Sequence, residues 1–351
     1  MSDRKINVLI AEDSTVIRMF LVHLLESDPL IHVIGSVADG QAALDFVKET
    51  KPDVILMDIH MPRMDGFEAT RRIMESNPVP IVICSATANI KDVVISFQAM
   101  EAGAIACIEK PLGLEHTNFE IIANHMLETV KLMSEVKVVH RSARLHAPPT
   151  KEQPEWRNGG AEIKIVGIGA STGGPPVLQA LLAALPKDFP VPILVVQHIA
   201  QGFIAGMAEW LNRTTGLQIH VASYGTCPLP SHVYLAPDDL HMGVNKSGGL
   251  VLTREDPMNH LRPSVSFLFR SLALIHGPSA LGVLLTGMGK DGAAELKLMK
   301  DHGAITIAQD KKSSVVYGMP GAAVALGGAT HILAGDKIAD ALVTLVKKKP
   351  Y

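Results

Sequence analysis

Two α/β domains in tandem are what this 351-residue chain predicts. Three observations predict them. Short apolar runs rich in β-branched residues alternate with stretches of helical period, and that alternation occurs in two series. The runs are apolar at nearly every position, which suits parallel strands covered on both faces. Between the two series lies a segment of proline, glycine and scattered charge with no apolar period.

The first series places strands at Asn7–Ala11, Val33–Val37, Asp53–Met57, Pro80–Cys84 and Ala104–Ile108. Helical periods fall between them, over 14–27, 40–49, 66–76 and 90–101. Five strand–helix units predict a flavodoxin-like (βα)5 domain over residues 1–125. Residues 118–138 read as an amphipathic helix and 141–160 as a linker, so 126–160 joins the two domains. The second series places strands at Ile163–Gly169, Ile193–Gln197, Leu281–Thr286 and Ala304–Ala308. His241–Asn245 and Leu250–Arg254 flank Lys246-Ser247-Gly248-Gly249, a hairpin signal. Residues 161–351 therefore predict a doubly wound, mainly parallel α/β domain with an antiparallel hairpin.

Composition narrows the function classes. A net charge of −3 gives no field for nucleic acid or an anionic membrane. Cys84, Cys107 and Cys227 are far apart with no CxxC spacing, which argues against a disulfide framework or a zinc site. In or near apolar runs, they are expected as small buried thiols. The first apolar stretch is too short for a signal peptide. No apolar run reaches the roughly 20 residues that span a bilayer. A cytoplasmic setting is expected, with any membrane connection made through a partner.

Adjacent parallel strands open their carboxyl ends onto one crevice. In the first domain those ends carry Glu12 and Asp13, then Asp58, then Ser85, then Lys110. Three clustered carboxylates repel one another unless a cation sits among them, and Mg²⁺ suits such oxygen donors. Asp58 is then the candidate acceptor of a phosphoryl group, whose oxygens the Ser85 hydroxyl and Lys110 ammonium can bind. An acid pair alone would be a surface patch. Suitable groups on four strand ends make a site.

In the second domain, Gly167-Ile168-Gly169-Ala170-Ser171-Thr172-Gly173-Gly174 joins the first strand to a helix. His198 directly follows the second strand. Asp291 follows Leu281–Thr286 through Gly287-Met288-Gly289-Lys290. Three strand ends thus deliver a hydroxyl, an imidazole and a carboxylate to one edge, as nucleophilic catalysis requires. The backbone N–H groups of Thr172 and Met288 are candidates for an oxyanion hole. Taken singly, Ser171 suits a helix cap, His198 a packed strand end, and Asp291 the N-cap of a helix starting at Gly292.

Two resemblances sharpen both sites. Ala11-Glu12-Asp13-Ser14, Leu56-Met57-Asp58-Ile59-His60-Met61-Pro62-Arg63-Met64-Asp65-Gly66 and Glu109-Lys110-Pro111 resemble the response-regulator receiver family. That resemblance implies phosphorylation of Asp58 by a histidine kinase. It also implies Mg²⁺ held by Glu12, Asp13, Asp58 and the His60 carbonyl. The fifth strand, with Ala106-Cys107-Ile108, lacks the family's aromatic switch residue. Ile168-Gly169-Ala170-Ser171-Thr172-Gly173-Gly174-Pro175, Val196-Gln197-His198, Arg262-Pro263-Ser264-Val265 and Thr286-Gly287-Met288-Gly289-Lys290-Asp291-Gly292 resemble the catalytic domain of CheB-type protein-glutamate methylesterases. The resemblance implies Ser171, His198 and Asp291 as the triad, with no cofactor for the hydrolase. It implies methyl-accepting chemotaxis receptors as substrates and glutamine deamidation beside ester cleavage. The architecture, one switch domain and one hydrolase joined by a linker, leads to the expectation that the receiver covers the Ser171 edge until Asp58 is phosphorylated. Ser266 stands where the family usually has Asp, Lys311-Lys312 stand where acids are common, and Gly321 where a basic residue is frequent. These departures are expected to leave the triad untouched and to alter substrate-surface charge.

Two rivals are weaker. Gly167-x-Gly169-x-x-x-Gly173 mimics a dinucleotide loop, but the next strand ends in Gln197-His198 rather than a ribose-binding acid. A receiver-controlled DNA-binding regulator would need a basic recognition helix, and residues 161–351 offer none.

Overall fold

The computed structural model describes residues 4–85, 90–111, 119–136, 138 and 161–346. The linker predicted at 141–160 lies outside them. The chain divides into two compact units, Met1–Thr150 and Lys151–Tyr351.

The first unit runs β1 (Ile6–Ala11), α1 (Thr15–Glu26), β2 (Ile31–Val37), α2 (Gly40–Glu49), β3 (Val54–Met57), α3 (Gly66–Ser76), β4 (Ile81–Ser85), α4 (Ile90–Ala102), β5 (Ala106–Glu109) and α5 (Phe119–Ser134). Its sheet has the order β2-β1-β3-β4-β5, with every pairing parallel. The inner strands β3 and β4 are buried along their whole length, as parallel strands covered on both faces should be. Val54, Ile55, Leu56 and Met57 are all buried. Three helices start on side-chain caps, with Ser14, Asp39 and Asp65 accepting from the Ile17, Ala42 and Glu68 N–H groups.

The second unit runs β6 (Ile165–Ala170), α6 (Gly174–Ala184), β7 (Ile193–Gln197), α7 (Ile204–Thr215), β8 (Gln218–Val221), β9 (His232–Leu235), β10 (His241–Val244), β11 (Leu250–Thr253), α8 (Val265–His276), β12 (Ala280–Leu284), α9 (Ala293–Asp301), β13 (Ile305–Gln309), α10 (Met319–Ala325), β14 (His331–Leu333) and α11 (Gly335–Val346). Seven strands form one sheet in the order β14-β13-β12-β6-β7-β9-β8, all parallel. Helix α6 packs on α7 and α11, while α8 packs on α9, which packs on α10. The β10–β11 hairpin is antiparallel, as expected, but it forms a separate small sheet. Its Met242, Val244 and Leu250 join the core beneath Phe269 and Leu272 of α8.

From β6 the chain proceeds outward through β7 to β9 and β8. It then returns to the other side of β6 as β12. Strand order reverses between β6 and β12, and ligand crevices of doubly wound sheets open at such a point. Strands β8, β9 and β14 were not among the expected ones. Cys84 is buried, whereas Cys227 is exposed, against the expectation of a buried thiol. Its apolar neighbours sit on a surface loop rather than in a strand. No described helix is long and apolar enough to cross a membrane.

Candidate active site

In the first unit the strand ends bring the predicted groups together. Lys110 Nζ lies 2.7 Å from Glu12 Oε2 and 2.8 Å from Asp58 Oδ1. Oxygens of Glu12, Asp13 and Asp58 all lie within 4.8 Å of one another. Glu12 and Asp58 are buried and Asp13 is exposed, so the cluster opens to water on one side. Burial is the largest influence on Glu12 and holds its pKa above the ordinary value. Lys110 works against that shift through a hydrogen bond, and the Asp58 charge adds to it. Burial also disfavours the Lys110 ammonium, but Asp58 and Glu12 outweigh burial and raise its pKa. An all-oxygen donor set, crowded, acidic and open on one flank, fits a hard divalent cation.

Ser85 is buried at the end of β4, and the Lys110 N–H donates to its carbonyl at 3.0 Å. His60 is exposed two residues beyond Asp58. Gly66 has a chemical reason to be glycine, because a Cβ there would collide with the Asp58 carbonyl.

In the second unit, Ala170 of β6 pairs with Gln197 of β7, so Ser171 and His198 follow at matched strand ends. The buried Gln197 amide ties them, donating to the Ser171 carbonyl at 2.9 Å and the His198 carbonyl at 2.8 Å. On the other side, the Ser171 N–H donates to the Thr286 carbonyl at 3.0 Å. The Thr286 hydroxyl reaches the Thr172 carbonyl at 3.0 Å and the Val316 carbonyl at 3.2 Å. A Cβ at Gly287 would collide with Ser171, which explains the glycine after Thr286. Ser171 is not a helix cap, since α6 starts from Gly173 with no side-chain cap. Its hydroxyl takes part in no hydrogen bond among the described residues, and the Thr172 and Met288 N–H groups likewise have no acceptor there.

His198 Nε2 lies 3.0 Å from Asp291 Oδ2. The geometry falls short of a hydrogen bond, which leaves a close polar contact. With Nε2 facing Asp291, Nδ1 is the nitrogen left for Ser171. Asp291 is not an N-cap either. Helix α9 starts at Ala293 with Gly292 before it, and the carboxylate turns toward the start of α8 instead.

There Asp291 Oδ1 accepts from Ser264 Oγ at 2.7 Å, Asn259 Nδ2 at 2.9 Å and the Ser266 N–H at 3.2 Å. Oδ2 accepts from the Val265 N–H at 2.6 Å. Burial opposes ionisation, but His198, Ser266 and Ser264 outweigh it and hold the Asp291 pKa well below the ordinary value. The α8 N-terminus also favours a negative charge at that point.

Sequence reasoning assigned no role to Gln197, Asn259, Ser264 or Thr286. Gln197, Ser264 and Thr286 did lie in quoted motifs. One expectation is overturned. Ser266, taken as remote from the triad, is fully buried and donates its N–H to Asp291. It lies in the first turn of α8, and that helix end points into the site. Lys311 and Lys312 are exposed in the turn after β13, consistent with a surface role.

Comparison with known proteins places both units in known families. The CheB methylesterase family model matches residues 166–342, and the response regulator receiver domain model matches residues 8–119. A protein-glutamate methylesterase/protein-glutamine glutaminase of Nitrosospira multiformis is 51% identical over 98% of both chains. One from Syntrophus aciditrophicus is 51% identical over 97% of this chain and 98% of its own. The crystal structure of the Thermotoga maritima CheB methylesterase catalytic domain is 40% identical, with a TM-score of 0.51 over 53% of this chain and all of that one. With a receiver domain ahead of a catalytic domain of this kind, the chain belongs to the CheB methylesterase family.

Proposed function

We propose that the protein hydrolyses methyl esters of glutamate side chains on chemoreceptors, releasing methanol, and deamidates receptor glutamines at the same site. The observation that carries this reading is the Asp291–His198 contact at the strand end next to that of Ser171, whose hydroxyl has no hydrogen-bond partner among the described residues. Ser171 Oγ attacks the ester carbonyl carbon while its proton passes to His198 Nδ1. Asp291 holds the other proton on Nε2 and stabilises the imidazolium. The Thr172 and Met288 N–H groups bind the oxyanion, each worth roughly 3 kcal/mol in the transition state. The tetrahedral adduct expels methoxide, which takes the His198 proton and leaves as methanol. Water then attacks the acyl-serine, gives its proton to His198, and frees the glutamate carboxylate and Ser171. An amide follows the same route with ammonia leaving. Methanol release from methylated receptor membranes is the direct assay.

We further propose that Asp58 accepts a phosphoryl group from a chemotaxis histidine kinase, in the cytoplasm. Glu12, Asp13, Asp58 and the His60 carbonyl would hold Mg²⁺, which supplies charge neutralisation when bound. Lys110 and Ser85 bind phosphoryl oxygens. Lys110 already bridges Glu12 and Asp58, so it is preset on the side where new negative charge arrives. Two outcomes follow. Asp58→Asn should abolish the increase in methanol release produced by a small-molecule phosphodonor and leave basal release intact. Asp13→Asn should weaken Mg²⁺ binding by at least tenfold in titration calorimetry. A phosphodonor response surviving Asp58→Asn would move the acceptor elsewhere.

The receiver is proposed to restrain the hydrolase until Asp58 is phosphorylated. Removing residues 1–150 should then raise basal esterase activity above that of the unphosphorylated full-length protein. A truncated enzyme no faster than its parent would remove the restraint and leave the esterase reading in place.

A further inference from the structure

We propose that Asn259 is a positioning residue for Asp291, with the neutral hydroxyl of Ser266 as its second anchor. The inference rests on the reading of Asp291 as the group that orients His198. Asn259 Nδ2 stands 2.9 Å from Asp291 Oδ1 and 3.2 Å from Ser266 Oγ. Ser266 Oγ also accepts from the Gly292 N–H at 2.9 Å. One amide and one hydroxyl therefore connect three segments that meet at the carboxylate: the loop before α8, the first turn of α8, and the residue just before α9.

Asn259 differs from the other donors to Asp291. Ser264, Val265 and Ser266 are buried at the helix start, whereas Asn259 lies in an exposed loop. The loop is nonetheless well defined. Met258 and Leu261 exchange both backbone hydrogen bonds, at 3.1 and 2.9 Å. The two residues between them are left-handed, with φ 53° at Asn259 and 64° at His260. A two-residue turn of this kind favours Asn and Asp, whose side chains tolerate positive φ. Either residue satisfies the backbone here, but only asparagine brings an N–H to the carboxylate. Backbone preference and donor chemistry can thus be separated by one isosteric substitution.

Ser266 sets the charge of the arrangement. An acid at 266, the usual residue in the family pattern, would place a second carboxylate against the Asn259 and Gly292 donors. Two close carboxylates repel, and a nearby imidazole gains a proton more readily. With serine, the Asn259 amide meets one carboxylate, that of Asp291, and one neutral hydroxyl. The other charged groups nearby are spoken for or face outward. Arg262 is held by Asp239 at 2.6 Å, and Glu295 pairs with Arg270 at 3.0 Å. Lys290 and His260 are exposed, and Lys290 lines the same hollow as Asn259. His198 lies directly against the same carboxylate, 3.0 Å from Asp291 Oδ2.

The test uses the full-length protein with a phosphodonor, methylated receptor membranes, and methanol release measured across pH. Asn259→Asp keeps the turn, removes the donor and adds a charge. It should lower kcat about ten- to a hundredfold with KM nearly unchanged. It should also move the acidic limb of the kcat profile upward by about one pH unit, because His198 then needs a higher pH to be neutral. Asn259→Ala should lower kcat less and leave the limb in place. Ser266→Asp should move the limb in the same direction as Asn259→Asp. A residue that only stabilised the fold would lower the melting temperature without moving the limb. If Asn259→Asp and Ser266→Asp both keep the parental limb, or Asn259→Ala keeps the parental kcat, Asn259 does not position Asp291. Should Asn259→Asp fail to fold, the other two variants decide. Ser171→Ala in the same assay separates the two levels: if it is inactive while the Asn259 variants behave as wild type, the positioning role alone falls.

Discussion

Ser171→Ala should cut methanol release from methylated receptors by about a million-fold, leaving only the small acceleration that oxyanion donors and binding contacts supply over uncatalysed hydrolysis. The size follows from what the substitution removes. Without Oγ no acyl-enzyme forms, and His198 has no hydroxyl proton to accept. Oxyanion donors and binding contacts remain, yet they act on a reaction that has lost its nucleophile. Deamidation of receptor glutamines should disappear in parallel, because both leaving groups depart from the same adduct. The fold should not change. The hydroxyl has no hydrogen-bond partner among the described residues, and alanine keeps the Cβ that packs on Gly287. Stability should stay within about 0.5 kcal/mol of wild type. Loss of activity with an unshifted melting curve is therefore the expected pair of results. Activity within a hundredfold of wild type would place the nucleophile at another residue. Thr172 would be the first to test, since it shares the same tight turn.

Much of this was legible before any coordinates. Parallel strands buried on both faces give unmistakable apolar runs, and residues that end such strands must meet at one edge. That rule alone brought Glu12, Asp58 and Lys110 together, and Ser171 with His198. It worked less well where strands are short or sit at the sheet margin. Strand β8 alternates exposed and buried residues, with Gln218 and His220 facing outward. Strand β14 is three residues long and none of them is fully buried. Neither carries the continuous apolar signal of an interior strand.

The supporting residues were illegible for a different reason. Asn259, Ser264 and Ser266 precede Asp291 by 25 to 32 positions and reach it through the placement of α8, which periodicity does not reveal. Ser266 shows the limit most clearly. A small polar residue at a helix start reads as surface, yet it is fully buried because that helix end points at a carboxylate. Thr286 was expected to close a strand. It lies beyond the end of β12 and ties the Ser171–Thr172 turn to the Val316 loop.

Asp291→Asn should lower kcat about ten-thousandfold and also destabilise the second unit. Both effects come from the same hydrogen-bond count. The carboxylate accepts from Ser264, Asn259 and Ser266 on one oxygen, and from Val265 with His198 beside it on the other. An asparagine offers one carbonyl and one amide nitrogen in their place. If the nitrogen takes the Oδ2 position, it faces the Val265 N–H and pushes the His198 proton from Nε2 to Nδ1. The imidazole then turns a donor toward Ser171 and can no longer act as its base. If the nitrogen takes the Oδ1 position, the Asn259 amide and Ser266 N–H lose their acceptor. Each buried donor left unpaired costs about 1–3 kcal/mol, so the melting temperature should fall by several degrees near neutral pH. The gap should also depend on pH with a definite sign. The folded-state pKa of Asp291 is depressed below its ordinary value of 3.8. Stability from its ionisation is therefore complete above that value and drains away as pH falls through the depressed folded value. Asparagine has no such charge to lose, so the two melting curves should converge below about pH 4. A gap that stays constant down to strongly acid pH would mean that Asp291 contributes through shape and not through its charge. Retention of more than a tenth of the activity would mean that His198 is oriented by some other group.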